Sequence, residues 1–301
     1  SKIHGQDMNG DGEGDFGSCI FKKRNAQSYF AIQTFAAPIV QTQGTAQGFH
    51  FDNSNMKPII NNDGWKKAFE LYKATGKYGP PDELNMDIGD TRALFKAGRC
   101  GLIVEWGDPG TLQLDDDASA IKGKMYAISA VGSKEVLDRA TGKLVPVSAS
   151  TAPYAVDGIN YAPFAAFGGW AGAVNKGADA KTKAAAYAFL SYMNQAAQSG
   201  VDVTIGATGY NPYRTSQLAS TDLWVKAGMP QALADNYLGA INGAINNLNM
   251  ASDMKIPGAQ KYTSVVLDTE LARYLAGEIS VDEALANIEE GWEEVTEDFG
   301  R

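Results

Sequence analysis

The chain has 301 residues, of which 44% are hydrophobic and 20% charged, and its formal net charge at pH 7 is -9. These proportions exclude a largely disordered or fibrous protein, and the length allows two domains with a core in each. The acidic balance argues against a nucleic-acid partner, because binding a phosphate backbone needs clustered lysine and arginine. The longest apolar runs fall well short of the roughly 20 residues that span a bilayer.

The first motif is a glycine-rich loop in which acidic and amide side chains alternate. The residues at positions 1, 3, 5, 6 and 9 of an EF-hand calcium loop are Asp7, Asn9, Asp11, Gly12 and Asp15. We expect Ca²⁺ here, held by Asp7, Asn9, Asp11, Glu13 and Asp15. The bidentate glutamate of position 12 is missing, because Ser18 stands there. The alternative is a solvated turn that needs no ion.

The two cysteines, Cys19 and Cys100, are separated by 81 residues in the sequence. Neither has a second cysteine or a histidine close by in the chain, which argues against a zinc site. An even count fits either one disulfide or two buried thiols. The sequence leaves both alternatives open.

Apolar periodicity predicts two helices in the first quarter of the chain. The apolar-rich stretch Ser28 to Val40 predicts a buried helix that ends near Pro38. Apolar residues at spacings of three and four from Asn62 onward predict an amphipathic helix that ends before Gly79.

A helix, a strand and a loop are predicted next, an order typical of α/β folds. Asp90 is expected to cap a short helix that Gly98 ends. The apolar run Cys100 to Glu105 predicts a buried strand, which the glycines and proline of residues 107 to 110 break. The acidic run Asp115 to Asp117 predicts a surface loop.

The second half of the chain repeats the strand and helix pattern. The polar segment Ser133 to Lys143 predicts a loop or hairpin. The glycine-rich residues 168 to 174 predict a strand, and a helix from about Ala180 to Met193 follows, capped by Asp179. Capping-box spacing at Ser280 predicts the start of an amphipathic terminal helix.

Aromatic residues beside glycines, prolines and loops are the candidates for binding a ligand, because their ring faces stack on sugars and other flat surfaces. These aromatic residues are Tyr29, Trp106, Trp170, Tyr210 and Tyr262. Candidate polar and backbone contacts come from Gln33, Asp108, Gly169 and Arg214. For any single aromatic residue, a place in the core is the alternative interpretation.

The sequence carries no common catalytic signature. Its only histidines are His4 and His50, and G-x-S-x-G, H-E-x-x-H and P-loop patterns are absent. A glycoside-processing enzyme would need only two carboxylates, for which Glu105 and Asp108 are candidates. We therefore expect a non-catalytic protein and keep such an enzyme as the weaker alternative.

Seven segments resemble, in the same order, the maltose-binding-protein-like family 1 of extracellular solute-binding proteins. They are DMNGDGEGDFG, AQSYFAIQTFAAPI, DTRALFKAGRCGLIVEWGD, FGGWAGAVNK, GYNPYRTSQL, DMKIPGAQKY and LAGEISVDEALANIEEGWEEVTEDFGR. Two further segments, TGKLVPVS and APYAVDGINYAPFAAFGGW, are similar to solute-binding-like ectodomains of green algal receptor cyclases. The resemblance covers nearly the whole chain.

The resemblance implies an α/β fold of the periplasmic-binding-protein kind (type II), whose two lobes close on a ligand held in the cleft. It assigns residues 1–164 and 226–301 mainly to the second lobe, and residues 165–225 to the crossover and the rest of the first lobe. The strand, helix and strand that open the first lobe in the family have no counterpart here. We expect this N-terminal segment as a partner, on the same polypeptide or on a separate chain.

The function implied is reversible capture of a small polar solute, with sugar or oligosaccharide favoured. Capture would serve either ABC-type import through a membrane permease or sensing through a receptor signalling domain. The expected location is extracellular or periplasmic, with any membrane tether outside this fragment. The alternative function, neither catalytic nor solute-binding, is that of a structural or adhesive extracellular domain with a vestigial cleft.

Overall fold

The computed structural model describes residues 1–114, 119–167 and 169–300, so the acidic run at 115–117 and Gly168 lie outside the described residues. The α-helices are α1 Ser28–Val40, α2 Asp63–Thr75, α3 Ile88–Lys96, α4 Pro109–Leu112, α5 Ala180–Met193, α6 Ala196–Asp202, α7 Thr215–Leu218, α8 Asp222–Lys226, α9 Gln231–Ile245, α10 Asp268–Ala276 and α11 Val281–Asp298. The strands are β1 Gly132–Ser133, β2 Glu135–Asp138, β3 Lys143–Pro146, β4 Asn160–Tyr161, β5 Phe164–Ala165 and β6 Ala251–Ser252. Within the described ranges, no helix is both long and apolar enough to span a bilayer.

The chain divides into two compact units. Unit 1 comprises Ser1–Val104, Ser129–Ala166 and Gly243–Arg301, and unit 2 comprises Glu105–Ile128 and Phe167–Asn242. The predicted lobes divide the chain at other points, because residues 105–128 and 226–242 fall in unit 2. Helices α8 and α9 belong there since they share one buried core with Val203. The match between these units and the lobes of a complete binding protein stays a prediction.

Unit 1 is built on the packing of α1 against α2, with α11 against α2. Asn62 caps α2 by accepting hydrogen bonds from the backbone amides of residues 64 and 65. The face of α2 that carries Trp65, Phe69 and Tyr72 is fully buried. Both predicted helices are confirmed, and Pro38 lies in the last turn of α1.

Three further helix ends are set by short polar contacts. Asp179 caps α5 and Ser280 caps α11, each accepting from the amide three residues later, as predicted. The predicted cap of α3 is wrong: Asp87 is the N-cap, and Asp90 is the third helical residue, whose carboxylate accepts the amide of Asp87 at 2.9 Å. Gly98 follows the end of α3 with φ +77, as expected of a residue that ends a helix.

The strands of unit 1 are short and pair in twos. Strands β2 and β3 form an antiparallel hairpin over the segment predicted as loop or hairpin, β1 pairs antiparallel with β4, and β5 pairs parallel with β6. The predicted buried strand Cys100 to Glu105 is wrong, because only isolated bridges form at Cys100 and Ile103. Of the strand predicted at 168–174, the described residues 169–174 form no strand and are exposed.

Cys19 and Cys100 form a disulfide, with their Cα atoms 5.8 Å apart. Both residues are buried. The disulfide therefore joins the segment after the acidic loop to the segment after α3. It settles the alternative that the sequence left open.

Candidate functional site

Three loops of unit 2 meet and form what we call the three-loop surface, made of residues 105–108, 169–170 and 206–211. The amide of Asn211 donates to Asp108 Oδ1 at 2.7 Å, and the indole nitrogen of Trp170 donates to the carbonyl of Gly209 at 3.2 Å. These two bonds bring the predicted ligand residues Asp108, Trp170 and Tyr210 into one region of unit 2.

Two glycines allow the loops to approach at backbone distance. A Cβ added at Gly107 would lie 2.3 Å from Asn211 Oδ1, and one added at Gly206 would lie 2.3 Å from the backbone nitrogen of Leu112. Both distances are far below van der Waals contact, so no other residue fits either position without moving the backbone or Asn211. Gly107 therefore packs against the side chain of Asn211, and Gly206 packs against the backbone of α4.

The three-loop surface combines an exposed ring with buried polar atoms. Trp170 is 73% exposed, while Trp106 is half-buried and Tyr210 packs against the unit 2 core. Asn211 Oδ1 is buried and accepts no hydrogen bond from any described residue. An indole face can stack on a polyhydroxylated molecule, and a nearby amide and carboxylate can form hydrogen bonds with its hydroxyl groups.

Asn211 is the residue of this surface that the sequence did not single out. It stands between Tyr210 and Pro212, in a segment already marked by a glycine and an arginine. Its role depends on pairing with Asp108, which is 103 residues away in the chain. Only its position beside a candidate aromatic residue pointed to it.

A buried phenol lies beneath this region. Burial raises the pKa of Tyr237, and the nearby carboxylate of Asp108 adds to the rise. The ring lies against Gly110, where a Cβ would be 2.3 Å from the ring carbon Cε2. Tyr237 is therefore neutral at physiological pH and supports α4 without carrying charge.

The guanidinium of Arg214 forms hydrogen bonds within unit 2. Its Nε donates to Ser199 Oγ at 3.2 Å, and another guanidinium nitrogen donates to the carbonyl of Asn194. It thereby joins the residue before α7 to the end of α5 and to α6. Its predicted contact with a ligand stays a prediction.

The remaining candidates lie in unit 1 and are mostly buried. Tyr29 is half-buried, and burial raises its pKa, while a hydrogen bond with Ser264 opposes the rise. Gln33 is fully buried and accepts a hydrogen bond from His50. Tyr262 is also fully buried, with its hydroxyl 3.1 Å from Thr296 Oγ1. Gln33 and Tyr262 have no exposed side-chain surface, and their contact with a ligand stays a prediction.

The acidic loop folds around its own backbone. Both carboxylate oxygens of Asp7 accept amide hydrogens, from residues 10 to 12, and Asp15 Oδ2 accepts those of Met8 and Asn9. These are the contacts of an Asx-type turn. They satisfy oxygens that an EF-hand would direct at calcium.

Arg99 supplies the positive charge of this loop. Its guanidinium lies 2.9 Å from Asp11, 2.8 Å from Glu13 and 3.0 Å from Asp15 Oδ1, and the last contact is an ion pair without hydrogen-bond geometry. Among the residues that the structure describes, no group of three acidic, histidine or cysteine side chains is arranged to hold a metal. A calcium ion would have to displace Arg99, so the loop as placed does not fit the ion. Calcium binding stays a prediction.

Neither a protein-family model nor a curated protein sequence matches the chain. Solved structures do. An ABC transporter solute-binding protein from Agrobacterium radiobacter K84, in complex with ribitol, matches with a TM-score of 0.65 at 18% identity, over 98% of this chain and 62% of its own. Maltose-bound MalE3 of T. maritima matches with a TM-score of 0.66 at 16% identity, over 93% of this chain and 61% of its own. This chain has a solute-binding-protein fold.

A third example is the maltose/maltodextrin-binding domain of Bdellovibrio bacteriovorus bound to maltotriose, with a TM-score of 0.54, 14% identity, and coverage of 98% of this chain and 64% of its own. The solute-binding-protein fold confirms the predicted α/β class. The chain spans about three-fifths of the length of the structures it matches.

Proposed function

We propose that this chain is part of a non-catalytic solute-binding protein that captures a small polyol, sugar or oligosaccharide at the three-loop surface. The observation that carries the proposal is the exposed indole of Trp170, which is bonded to Gly209 just before Tyr210 and Asn211 in the chain, while Asn211 pairs with Asp108. Ring stacking supplies contact with the apolar faces of a sugar, and the polar pair supplies direction.

The chemistry of structurally similar proteins supports this choice of solute. The structures named above hold ribitol, maltose and maltotriose, which all present many hydroxyl groups. Hydroxyl groups both donate and accept, so they suit a surface that combines an exposed indole with a neighbouring amide and carboxylate. Of the predicted ligand residues, those of the three-loop surface are the ones we assign to this role.

The proposal covers capture for import through a permease and capture for sensing through a receptor, because both use the same solute contacts. The similarity to algal receptor ectodomains belongs to the second context. An extracellular or periplasmic location fits both, and the buried disulfide suits an oxidising compartment.

A thermal-shift screen with sugars and polyols tests the proposal. A ligand that binds only the folded protein stabilises it by RT ln(1 + [L]/Kd), about 2.7 kcal/mol at a hundredfold excess over Kd. Trp170→Ala should abolish the shift produced by the best solute. Tyr126→Ala is the matched control, because Tyr126 is 77% exposed in the same unit but outside the three loops. Equal shifts in the two variants would exclude Trp170 from the site.

Turnover is the outcome that would replace binding with catalysis. Glu105 accepts the backbone amide of Trp106 at 2.8 Å, and Asp108 accepts the amide of Asn211. If a chromogenic glycoside is hydrolysed and Glu105→Gln stops the reaction, the protein is a glycoside-processing enzyme. Binding without hydrolysis supports capture.

A further inference from the structure

Unit 1 contains an open cavity of about 360 Å³ on one face of α10. Its walls are α10, the chain shortly before α1 and the single helical turn Glu83–Asn85. The volume lies at the lower end of the range of about 300–1,000 Å³ that is typical of small-molecule sites. Basic side chains line the cavity together with the apolar side chains of Leu84, Ala272 and Leu275.

A buried ion pair fixes two of these walls against each other. The amine of Lys22 pairs with one carboxylate oxygen of Glu83, and the other oxygen accepts the backbone amide of Ile20 at 2.8 Å. Desolvation lowers the pKa of Lys22, and the adjacent charge of Glu83 opposes this effect. Because Glu83 already neutralises it, Lys22 positions the wall and supplies no charge for a ligand.

Two guanidinium groups at the cavity have N–H groups to spare. Arg24 donates one hydrogen bond, from Nη2 to Thr269 Oγ1 at 3.0 Å, and forms no ion pair with a described residue. Arg273 donates from Nη1 to Glu270 at 2.8 Å and lies 3.8 Å from Glu278, so its Nη2 has no hydrogen bond to the described part of the chain. A guanidinium has five N–H donors in a fork that fits a carboxylate.

The surrounding charge favours an anion with a single negative charge. Burial raises the pKa of Asp268, and the charge of Arg24 opposes the rise, so acidic and basic groups already interact here. The whole chain carries a formal charge of -9. A carboxylate brings one further negative charge, whereas a phosphate ester brings about 1.5 to 2. The apolar wall of the cavity suits an aliphatic body attached to that carboxylate.

We propose that this cavity is a ligand site of its own, which binds a small aliphatic monocarboxylate. The carboxylate accepts hydrogen bonds from Arg24 and Arg273, and the aliphatic part lies against the apolar wall. The ligand displaces Glu278, whose side chain is 62% exposed and whose ion pair with Arg273 is long. None of the described residues of the three-loop surface lines the cavity, so the inference goes beyond the proposed capture of a sugar.

Titration of the 301-residue chain with sodium hexanoate, followed by saturation-transfer NMR, tests this site. We expect saturable binding with a Kd on the order of 1–10 mM. Arg24→Leu should weaken it by about tenfold or more, because a charge-assisted hydrogen bond is lost. Lys57→Leu is the matched control, since it removes an exposed cation of unit 1 that does not line the cavity, and it should change the Kd by less than about twofold.

A second variant and two further probes separate the contributions of charge and shape. Ala272→Phe fills the cavity without a change of charge and should abolish hexanoate binding, while thermal melting checks that each variant is folded. At the same concentrations, 1-hexanol and inorganic phosphate should bind at least about tenfold more weakly than hexanoate, because each lacks one half of the recognised group.

Four outcomes would overturn the proposal. They are the absence of saturable hexanoate binding up to about 50 mM, equal binding of 1-hexanol, equal binding of phosphate, and undiminished hexanoate binding by folded Ala272→Phe. If Arg24→Leu does not fold, Ala272→Phe still decides. Failure of the sugar screen would leave all of these results unchanged, because Trp170 and the three loops take no part in them.

Discussion

Acid should destabilise unit 1 through one buried imidazole. His50 is buried among the rings of Phe49, Phe164 and Trp292, and burial lowers its pKa to about 3, from 6.5. The amide nitrogen of Gln33 already donates to the carbonyl of Tyr29 at 2.8 Å, so the amide oxygen of Gln33 accepts a hydrogen bond from the protonated Nε2 of neutral His50. The folded state therefore holds His50 neutral.

The sign and size of the effect follow from proton linkage. Between pH 6.5 and about 3 the unfolded chain binds the proton and the folded chain does not, so stability is lost as the pH falls through this window. For a pKa difference of this size, the loss between pH 8 and pH 5 is about 2 kcal/mol. The remaining part would be lost between pH 5 and pH 3.

Urea unfolding followed by tryptophan fluorescence at pH 8 and pH 5 measures this loss. His50→Gln keeps a donor for Gln33 but cannot be protonated, so its free energy of unfolding should fall by about 2 kcal/mol less than that of the wild type over this range. His4→Gln is the matched control, because it removes the only other histidine from an exposed position. A His50→Gln variant with the pH dependence of the wild type would refute the reasoning.

Three further predictions concern the disulfide, the acidic loop and the core. Replacing Cys19 and Cys100 together by alanine should lower the free energy of unfolding by about 4 kcal/mol, because the crosslink across 81 residues restricts the unfolded chain. Urea titration measures this loss, and a loss below about 1 kcal/mol would contradict the chain-entropy account. Arg99→Ala should lower the melting temperature, because the carboxylates of the acidic loop lose their internal cation. Millimolar calcium should then stabilise the variant but not the wild type. Calcium stabilisation of the wild type would show that Arg99 does leave the loop. In the same titration, Trp292→Ala should lower the free energy of unfolding by about 3–5 kcal/mol, because its fully buried indole donates to a carbonyl at 2.8 Å. Trp170→Ala, at an exposed position, should change it by less than about 0.5 kcal/mol.

Features set by neighbouring residues could be predicted from the sequence. The caps at Asp179 and Ser280 each depend on a hydrogen bond from the amide three residues later, and each helix starts beside its cap. Asp90 was misassigned as a cap because a reciprocal capping box places an acidic residue at both of its ends, and the first of them, Asp87, is the N-cap.

Features set by distant residues could not be predicted in this way. The run Cys100 to Glu105 has the composition of a strand, but a strand also needs a partner in register, and composition does not supply one. Gln33 is buried against His50, which is 17 residues away in the chain, so its burial could not be predicted from its neighbours in the sequence. Arg99 lies 88 residues beyond Asp11 in the chain, so the motif of the acidic loop gave no sign of its cation.

The close glycine contacts at Gly107 and Gly206 have an evolutionary consequence. They place the geometry of the three-loop surface under the control of residues that offer no side chain to a solute, while Trp170 projects into solvent. Under the proposed function, substitution at Trp170 would change the contact with a solute and remove the hydrogen bond to Gly209, while the close packing at Gly107 and Gly206 would remain. If the proposed function holds, new solute preferences could arise at exposed positions such as Trp170, whereas a side chain at either glycine would first have to move the backbone or Asn211.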